Sequence, residues 1–326
     1  MMAKKYLNEH SEFKDLITQT ADKIGLNSSI IEKDYWVTRI LRELDSSEFS
    51  DEFIFKGGTS LSKIWFEDFG RFSEDIDLLL TTKLERRGEK SNRLNEVVRF
   101  VSSIAGLNLL DDKSTNIKPD TIGGKFYYDY SGHYKEENPV GVKSEILLEP
   151  GYRGGNYPVT VKRINSFLAD TILEYYQNEI TPELKDFEYD IKPFVLKVLS
   201  PERIFLEKLD AVRNSHLKNR LVAATRHYYD LYHLINLKEI QDLKKNKELI
   251  NEILKDISEF SKTYYGAEDD VTLNDFKTCE ALSPDNSQIE KLKDRYKKEK
   301  GLYYKDQPDF EDMVKTISNF LMDLKN

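Results

Sequence analysis

Asp75 and Asp77 flank a single isoleucine in the stretch Ser73-Glu74-Asp75-Ile76-Asp77-Leu78-Leu79-Leu80. In a strand, residues two apart project to the same face about 6.5 Å from each other. Two carboxylates so placed can converge on a hard divalent cation such as Mg²⁺ or Mn²⁺, an ion that takes oxygen ligands and keeps waters and phosphates in its shell. Upstream, Phe53-Ile54-Phe55-Lys56 runs into Gly57-Gly58-Thr59-Ser60. Paired glycines let a backbone come close to phosphate oxygens, and Thr59 and Ser60 offer hydroxyls and helix N-terminal amides to an anion. Together these parts suit a metal-bound polyphosphate.

The acid pair alone carries no weight. With 58 Asp and Glu in 326 residues, about ten acid-x-acid triplets are expected by chance. The context is what is rare: the pair opens an alternating strand whose other face, Ile76, Leu78 and Leu80, is aliphatic, shortly after a strand, glycine turn and helix start.

Further candidates follow from what phosphoryl transfer needs. A third carboxylate usually completes the metal site that activates an attacking hydroxyl. Glu145 and Glu149 share strand parity in Val142-Lys143-Ser144-Glu145-Ile146-Leu147-Leu148-Glu149; Glu145, read as mid-strand, is favoured over Glu149, which abuts Pro150. Lys208 lies at the flank of a helix whose apolar stripe is Phe205, Leu209 and Val212. Aimed at a triphosphate it would neutralise charge on the leaving group; on spacing alone the reading as a surface lysine paired with Glu207 or Asp210 prevails. Arg226 and Asp230 stand four apart on the next helix, where they line a pocket or form an ordinary intrahelical pair. Lys33 and Asp34, next to Tyr35 and Trp36, read as structural, and no role is assigned to Tyr127, Tyr128, Tyr130 or Tyr134.

These side chains require elements to hold them. Three-to-four spacing predicts helices over residues 11–46, with a start at Ser28-Ser29, and a brief helix opened by Thr59-Ser60. Strands are predicted at Phe53–Phe55, from Asp75, over Lys125–Tyr130, Gly141–Glu149 and Val159–Ile164, with a helix over Leu94–Ala105 between them. From Pro201 onward the pattern is helical. The expected fold is α/β (α+β): a mixed sheet with flanking helices in residues 1–165, then a mainly helical C-terminal domain in residues 166–326.

Composition narrows the classes. The chain is globular in make-up, with 39% hydrophobic and 12% aromatic residues and a net charge of −9. That charge argues against coating nucleic acid by bulk electrostatics, yet Lys197–His233 carries seven Lys and Arg against four Asp and Glu, a local place for a polyanion. The single cysteine, Cys279, leaves neither an internal disulfide nor a cysteine zinc site. The N-terminus turns polar early and the longest charge-free apolar stretch, Phe100–Leu110, is too short to span a bilayer, so a cytoplasmic protein without a membrane anchor is expected. Gly123-Gly124-Lys125-Phe126 is no P-loop, since Phe126 stands where the metal-binding hydroxyl belongs. A Rossmann glycine motif, metalloprotease histidine spacing and a G-x-S-x-G elbow are all missing.

Phe55-Lys56-Gly57-Gly58-Thr59-Ser60-Leu61 followed by Arg71-Phe72-Ser73-Glu74-Asp75-Ile76-Asp77-Leu78 resembles the signature of the AbiEii/AbiGii-type nucleotidyltransferase toxins, within the DNA polymerase β-like superfamily. The similarity extends to Ile31-Glu32-Lys33-Asp34-Tyr35-Trp36, to Glu207-Lys208-Leu209-Asp210-Ala211 and to Arg226-His227-Tyr228-Tyr229-Asp230-Leu231. The gap between Gly58 and Asp75 is longer than in the tightest form of the superfamily pattern. The resemblance implies transfer of a nucleoside monophosphate from an NTP to an acceptor with loss of pyrophosphate. It further implies an RNA acceptor, for some members the tRNA 3′ end, and a cognate antitoxin. On this reading Asp75, Asp77 and Glu145 ligate Mg²⁺ or Mn²⁺, Gly57, Gly58, Thr59 and Ser60 hold phosphates, and Lys208, Arg226 and Asp230 complete the pocket. Alternatives left open are a small-molecule nucleotidyltransferase, a metal-dependent nuclease and a catalytically silent binding protein of the same fold.

Overall fold

The computed structural model describes residues 4–65, 70–135, 142–177, 180–265, 267–285, 287–304 and 307–325. Its helices are α1 (Phe13–Ile24), α2 (Ser28–Asp45), α3 (Gly57–Ile64), α4 (Arg87–Ser102), α5 (Phe167–Tyr175), α6 (Glu188–Ile191), α7 (Pro201–Leu217), α8 (Thr225–Leu234), α9 (Lys238–Leu243), α10 (Lys247–Tyr265), α11 (Leu273–Lys277), α12 (Ile289–Lys298) and α13 (Phe310–Asp323). Its strands are β1 (Phe53–Lys56), β2 (Asp75–Leu80), β3 (Leu107–Leu109), β4 (Phe126–Tyr130), β5 (Ile146–Gly151), β6 (Val159–Ile164) and β7 (Phe194–Leu199). The seven strands form one sheet in the order β3-β4-β5-β2-β1-β7-β6. The sheet is mixed: β2 runs parallel to β5 and β1 to β7, while β4 is antiparallel to both β3 and β5. The mixed α/β class expected from the sequence is the class observed.

Two compact units divide the chain. One comprises Met1–Phe55, Phe72–Tyr152 and Val161–Val198; the other comprises Lys56–Arg71, Arg153–Thr160 and Leu199–Asn326. The division thus falls at Leu199, and two short segments from the first half of the chain join the helical unit, whereas the sequence was parted in one cut at 165/166.

In the first unit α2 is buried over most of its length, including Glu32, Lys33, Asp34, Arg39 and Arg42. Asn27 caps it by accepting the Ser29 amide at 2.8 Å. Buried charges need a counter-charge or hydrogen bonds, and several of these take theirs from distant backbone. Glu32 accepts the His133 and Tyr134 amides, Asp34 accepts the Phe167 amide at the start of α5, and Arg42 donates to the Lys192 carbonyl. The structural reading of Asp34 fits these contacts.

Several local expectations change. The strand drawn from Gly141 begins at Ile146; Gly141 itself lies outside the described residues. Lys143 explains the late start, because its amide donates to Glu74 and its carbonyl accepts from Lys33, which takes this backbone out of the ladder. The helix expected from Thr59-Ser60 starts at Gly57. The helix expected over Leu94–Ala105 is α4, which starts at Arg87 and ends at Ser102, and β3, β7, α5 and α6 were not anticipated.

In the helical unit, Pro201 occupies the first turn of α7, where its missing N–H costs nothing. Phe205, Leu209 and Val212 of α7, Tyr228 and Leu231 of α8, and Met313, Ile317 and Phe320 of α13 supply buried core residues. The Phe205 and Phe320 rings meet edge-on at 5.5 Å.

Candidate functional site

β2 alternates as its sequence demands: Asp75 and Asp77 are partly exposed on one face, while Ile76 and Leu78 are buried on the other. Asp75 Oδ1 is buried and makes no hydrogen bond; the nearest cation, Lys143 Nζ, stands 3.6 Å away, beyond hydrogen-bond range. The strand entry is fixed from beneath. Lys33 Nζ, fully buried, donates to Glu74 Oε2 and to the Lys143 carbonyl, each at 2.5 Å. Burial pulls the Lys33 amine down and pushes the Glu74 carboxyl up, each opposed by the other's charge. Lys33 therefore fixes Glu74, the residue just before the acid pair.

The register of the parallel neighbour changes the candidate third acid. Asp77 pairs with Glu149 and Asp75 with Leu147, so Glu149 stands beside Asp77 on the same face of the sheet. Glu145 is not mid-strand as expected; it sits in the bend before β5. There Lys113 Nζ lies 2.5 Å from its carboxylate and the Ser144 hydroxyl donates to it. The Lys113 hydrogen bond holds the Glu145 carboxyl down at about 2. Glu149 has a lysine partner too, Lys125 at 2.6 Å.

Among the described residues no three His, Cys, Asp or Glu side chains gather into a preassembled metal centre. Mg²⁺, however, is normally held by one or two carboxylates with substrate phosphates and waters filling the shell. Asp75 and Asp77 fit that demand, and the buried Asp75 Oδ1 makes no hydrogen bond, its ion pair with Lys143 standing at 3.6 Å.

The remaining predicted residues lie in the helical unit. Lys56 is extended and Gly57 has φ +80°, a left-handed conformation that favours glycine and turns the strand at once into α3. The hydroxyls at this turn do not face outward as expected. Thr59 and Ser60 are buried, and the Ser60 hydroxyl donates to the Gly57 carbonyl at 2.9 Å. What remains for an anion is the backbone of Gly57 and Gly58 at the helix start, where N–H groups lack intrahelical partners.

Lys208 is no surface lysine. It is buried, and its Nζ donates to Asp230 Oδ2 at 2.7 Å. Arg71 grips the same carboxylate with two parallel bonds of 2.8 Å, Nε to Oδ1 and Nη2 to Oδ2. Burial opposes ionisation of Asp230, and the charges of Arg71 and Lys208 more than reverse that, leaving its carboxyl well below the usual range. Arg71 was part of the recognised motif but carried no assigned role; a partner 159 residues away leaves no signal in the spacing. Arg226, one turn before Asp230 on α8, is half-exposed, and both Asp230 oxygens are taken by the other two cations. The cluster holds two cations and one anion, a buried net positive charge centred on Lys208.

No helix among the described residues is long and apolar enough to cross a membrane. Among curated proteins, none matches the chain. Among solved structures, the chain is similar to MenT4, a nucleotidyltransferase toxin from Mycobacterium tuberculosis H37Rv, at 16% identity and a TM-score of 0.45, covering 96% of this chain and 99% of that one. A family model described as the nucleotidyl transferase AbiEii toxin of type IV toxin–antitoxin systems matches residues 39–316. That span takes in the diglycine turn, the acid pair, Lys208 and Asp230, and it covers well over half of the sequence. The chain therefore belongs to the AbiEii family of nucleotidyltransferase toxins.

Proposed function

We propose that this nucleotidyltransferase moves a nucleoside monophosphate from an NTP to a hydroxyl of an RNA acceptor, the 3′ end of tRNA among the candidates, and releases pyrophosphate. The observation that carries this is the pair Asp75 and Asp77 on one face of β2, with Asp75 Oδ1 buried and lacking a hydrogen-bond donor. A Mg²⁺ or Mn²⁺ ion bound there would polarise the α- and β-phosphates. Asp75 and Asp77 would hold it, and the Lys33–Glu74 pair fixes the strand entry one residue upstream. The attacking hydroxyl forms its bond to the α-phosphorus as the bond to the β-phosphate oxygen breaks, and a carboxylate accepts the hydroxyl proton. We assign that role to Glu149, because it stands beside Asp77 and Glu145 does not. The Gly57-Gly58 backbone receives the β- and γ-phosphates, with Thr59 and Ser60 locking the turn from inside. Lys208 contributes positive charge to the departing pyrophosphate, Asp230 and Arg71 fix where that charge sits, and Arg226 lies within reach of solvent-borne substrate on the same helix.

Within the basic stretch Lys197–His233, the exposed Lys218 and Arg220 support a large anionic acceptor over a small neutral one. A cognate antitoxin restraining the enzyme follows from the family, and we place both in the cytoplasm. Incubation of the protein with total RNA, Mg²⁺ and each α-labelled NTP in turn tests the reading. Label should enter RNA with one or more NTPs and stop on chelation. Label that appears only on small molecules would replace the acceptor class, and cleavage of RNA without incorporation would refute the reaction.

A further inference from the structure

The face of α7 turned away from Asp230 borders a cleft of about 470 Å³ within the helical unit, a volume in the range of ligand pockets. One wall is built with care. Arg203, fully buried, donates to the Tyr157 carbonyl at 2.6 Å, to Asp256 at 2.8 Å and to Glu207 at 2.9 Å. Its guanidinium lies so close to Gly155 that a Cβ there would stand 1.7 Å from Nη2, and a larger residue would have to displace the guanidinium from its three acceptors.

The lining carries five cations, Lys56, Arg153, Arg203, Lys218 and Arg220, against three carboxylates, Glu207, Asp256 and Asp210; Arg203 is held by the first two acids, and the third is Asp210. That carboxylate is incompletely matched. Asn214 donates to Oδ2 at 2.7 Å, but Oδ1 is buried and makes no hydrogen bond, with Arg213 Nη1 3.6 Å off. Burial pushes the Asp210 carboxyl up to about 6, against the opposing pull of Arg213 and Asn214. Phe260 adds an aromatic surface to the lining. A ligand that meets all of this carries an anionic group for the cations, a hydrogen-bond donor for Asp210 and a flat ring.

We infer that this cleft binds a nucleoside phosphate, its phosphate among Lys56, Lys218 and Arg220 and an amino or hydroxyl group of base or ribose donating to Asp210 Oδ1. The site is separate from Lys208, which projects from another face of α7. If the transfer reading holds, the occupant is a nucleotide of the acceptor RNA, and this part of the inference rests on that reading.

Binding is measured by fluorescence anisotropy with a labelled single-stranded RNA oligonucleotide and by calorimetry with AMP, CMP, GMP and UMP. Both use the full-length Asp75→Ala, Asp77→Ala chain, so that turnover cannot consume the ligand. Arg220→Glu, at an exposed position, and Asp210→Ala should each weaken binding about tenfold or more while the melting temperature is held or raised. Tighter binding of the oligonucleotide than of any mononucleotide identifies the source as RNA; the reverse identifies a free nucleotide. Failure of both probes to bind, or binding unchanged in both variants, overturns the site. Because transfer is scored separately by label incorporation, loss of the transfer reading with binding intact leaves the cleft standing.

Discussion

The two acidic centres of this chain are built in opposite ways. In the sheet unit, Asp75 keeps a buried oxygen with no hydrogen bond, on a strand that is firmly anchored one residue upstream. In the helical unit, Asp230 is saturated by a bidentate arginine and a lysine. An unsatisfied buried acceptor costs stability unless a ligand completes it, whereas a saturated one stabilises its surroundings and offers nothing to a ligand. On the proposed reading the difference separates a carboxylate left for a ligand, Asp75, from one that serves its own unit's packing, Asp230.

That contrast predicts opposite responses to similar substitutions. Asp75→Asn or Asp77→Asn should lower label transfer by on the order of a thousandfold, the scale of losing a charge clamp on a transferring phosphoryl group, with the thermal midpoint almost unmoved. Asp230→Ala should act first on the fold. It leaves Arg71 and Lys208 buried without their anion, a loss of about 3–5 kcal/mol readable in urea unfolding. A variant of Asp230 that unfolds like the parent but transfers no label would break the distinction. Glu149→Gln should cut transfer more than Glu145→Gln, by about tenfold to a hundredfold against little; the reverse order would return the third acid to Glu145.

The smallest effect concerns Asp210. Its carboxyl titrates near 6 in the folded chain against an ordinary 3.8, so the folded state binds that proton more tightly than the unfolded one. Its contribution is fully favourable below about pH 4 and is lost as pH rises through 6. Asp210→Asn should therefore be more stable than the parent by on the order of 1–2 kcal/mol at pH 8, with the gap closing near pH 4 in melting curves taken across that range.

Legibility in the sequence followed how local each cause was. The alternation of Asp75–Leu80 and the helical stripe of α7 were readable because period alone fixes which side chains share a face. The late start of β5 was not, since it depends on Lys33 and Glu74 capturing the Lys143 backbone from other elements. The same holds for Asp230, whose partner looked like Arg226 four residues away and is Arg71 from a distant segment. β7 escaped because Lys197 interrupts a short apolar run and its neighbour β1 is far off in sequence. α5 was within reach: Ser166 caps it by accepting the Ala169 amide, with Leu168 and Ile172 four apart on its buried side.

The claim beneath all of this is that Asp75 and Asp77 hold a divalent ion together with a triphosphate. Electron paramagnetic resonance of Mn²⁺ titrated into the protein with a non-hydrolysable NTP measures it directly. The account predicts one bound Mn²⁺ per chain that requires nucleotide for tight binding and is lost in Asp75→Asn, Asp77→Asn. Equal Mn²⁺ binding by that variant and by the parent would contradict it.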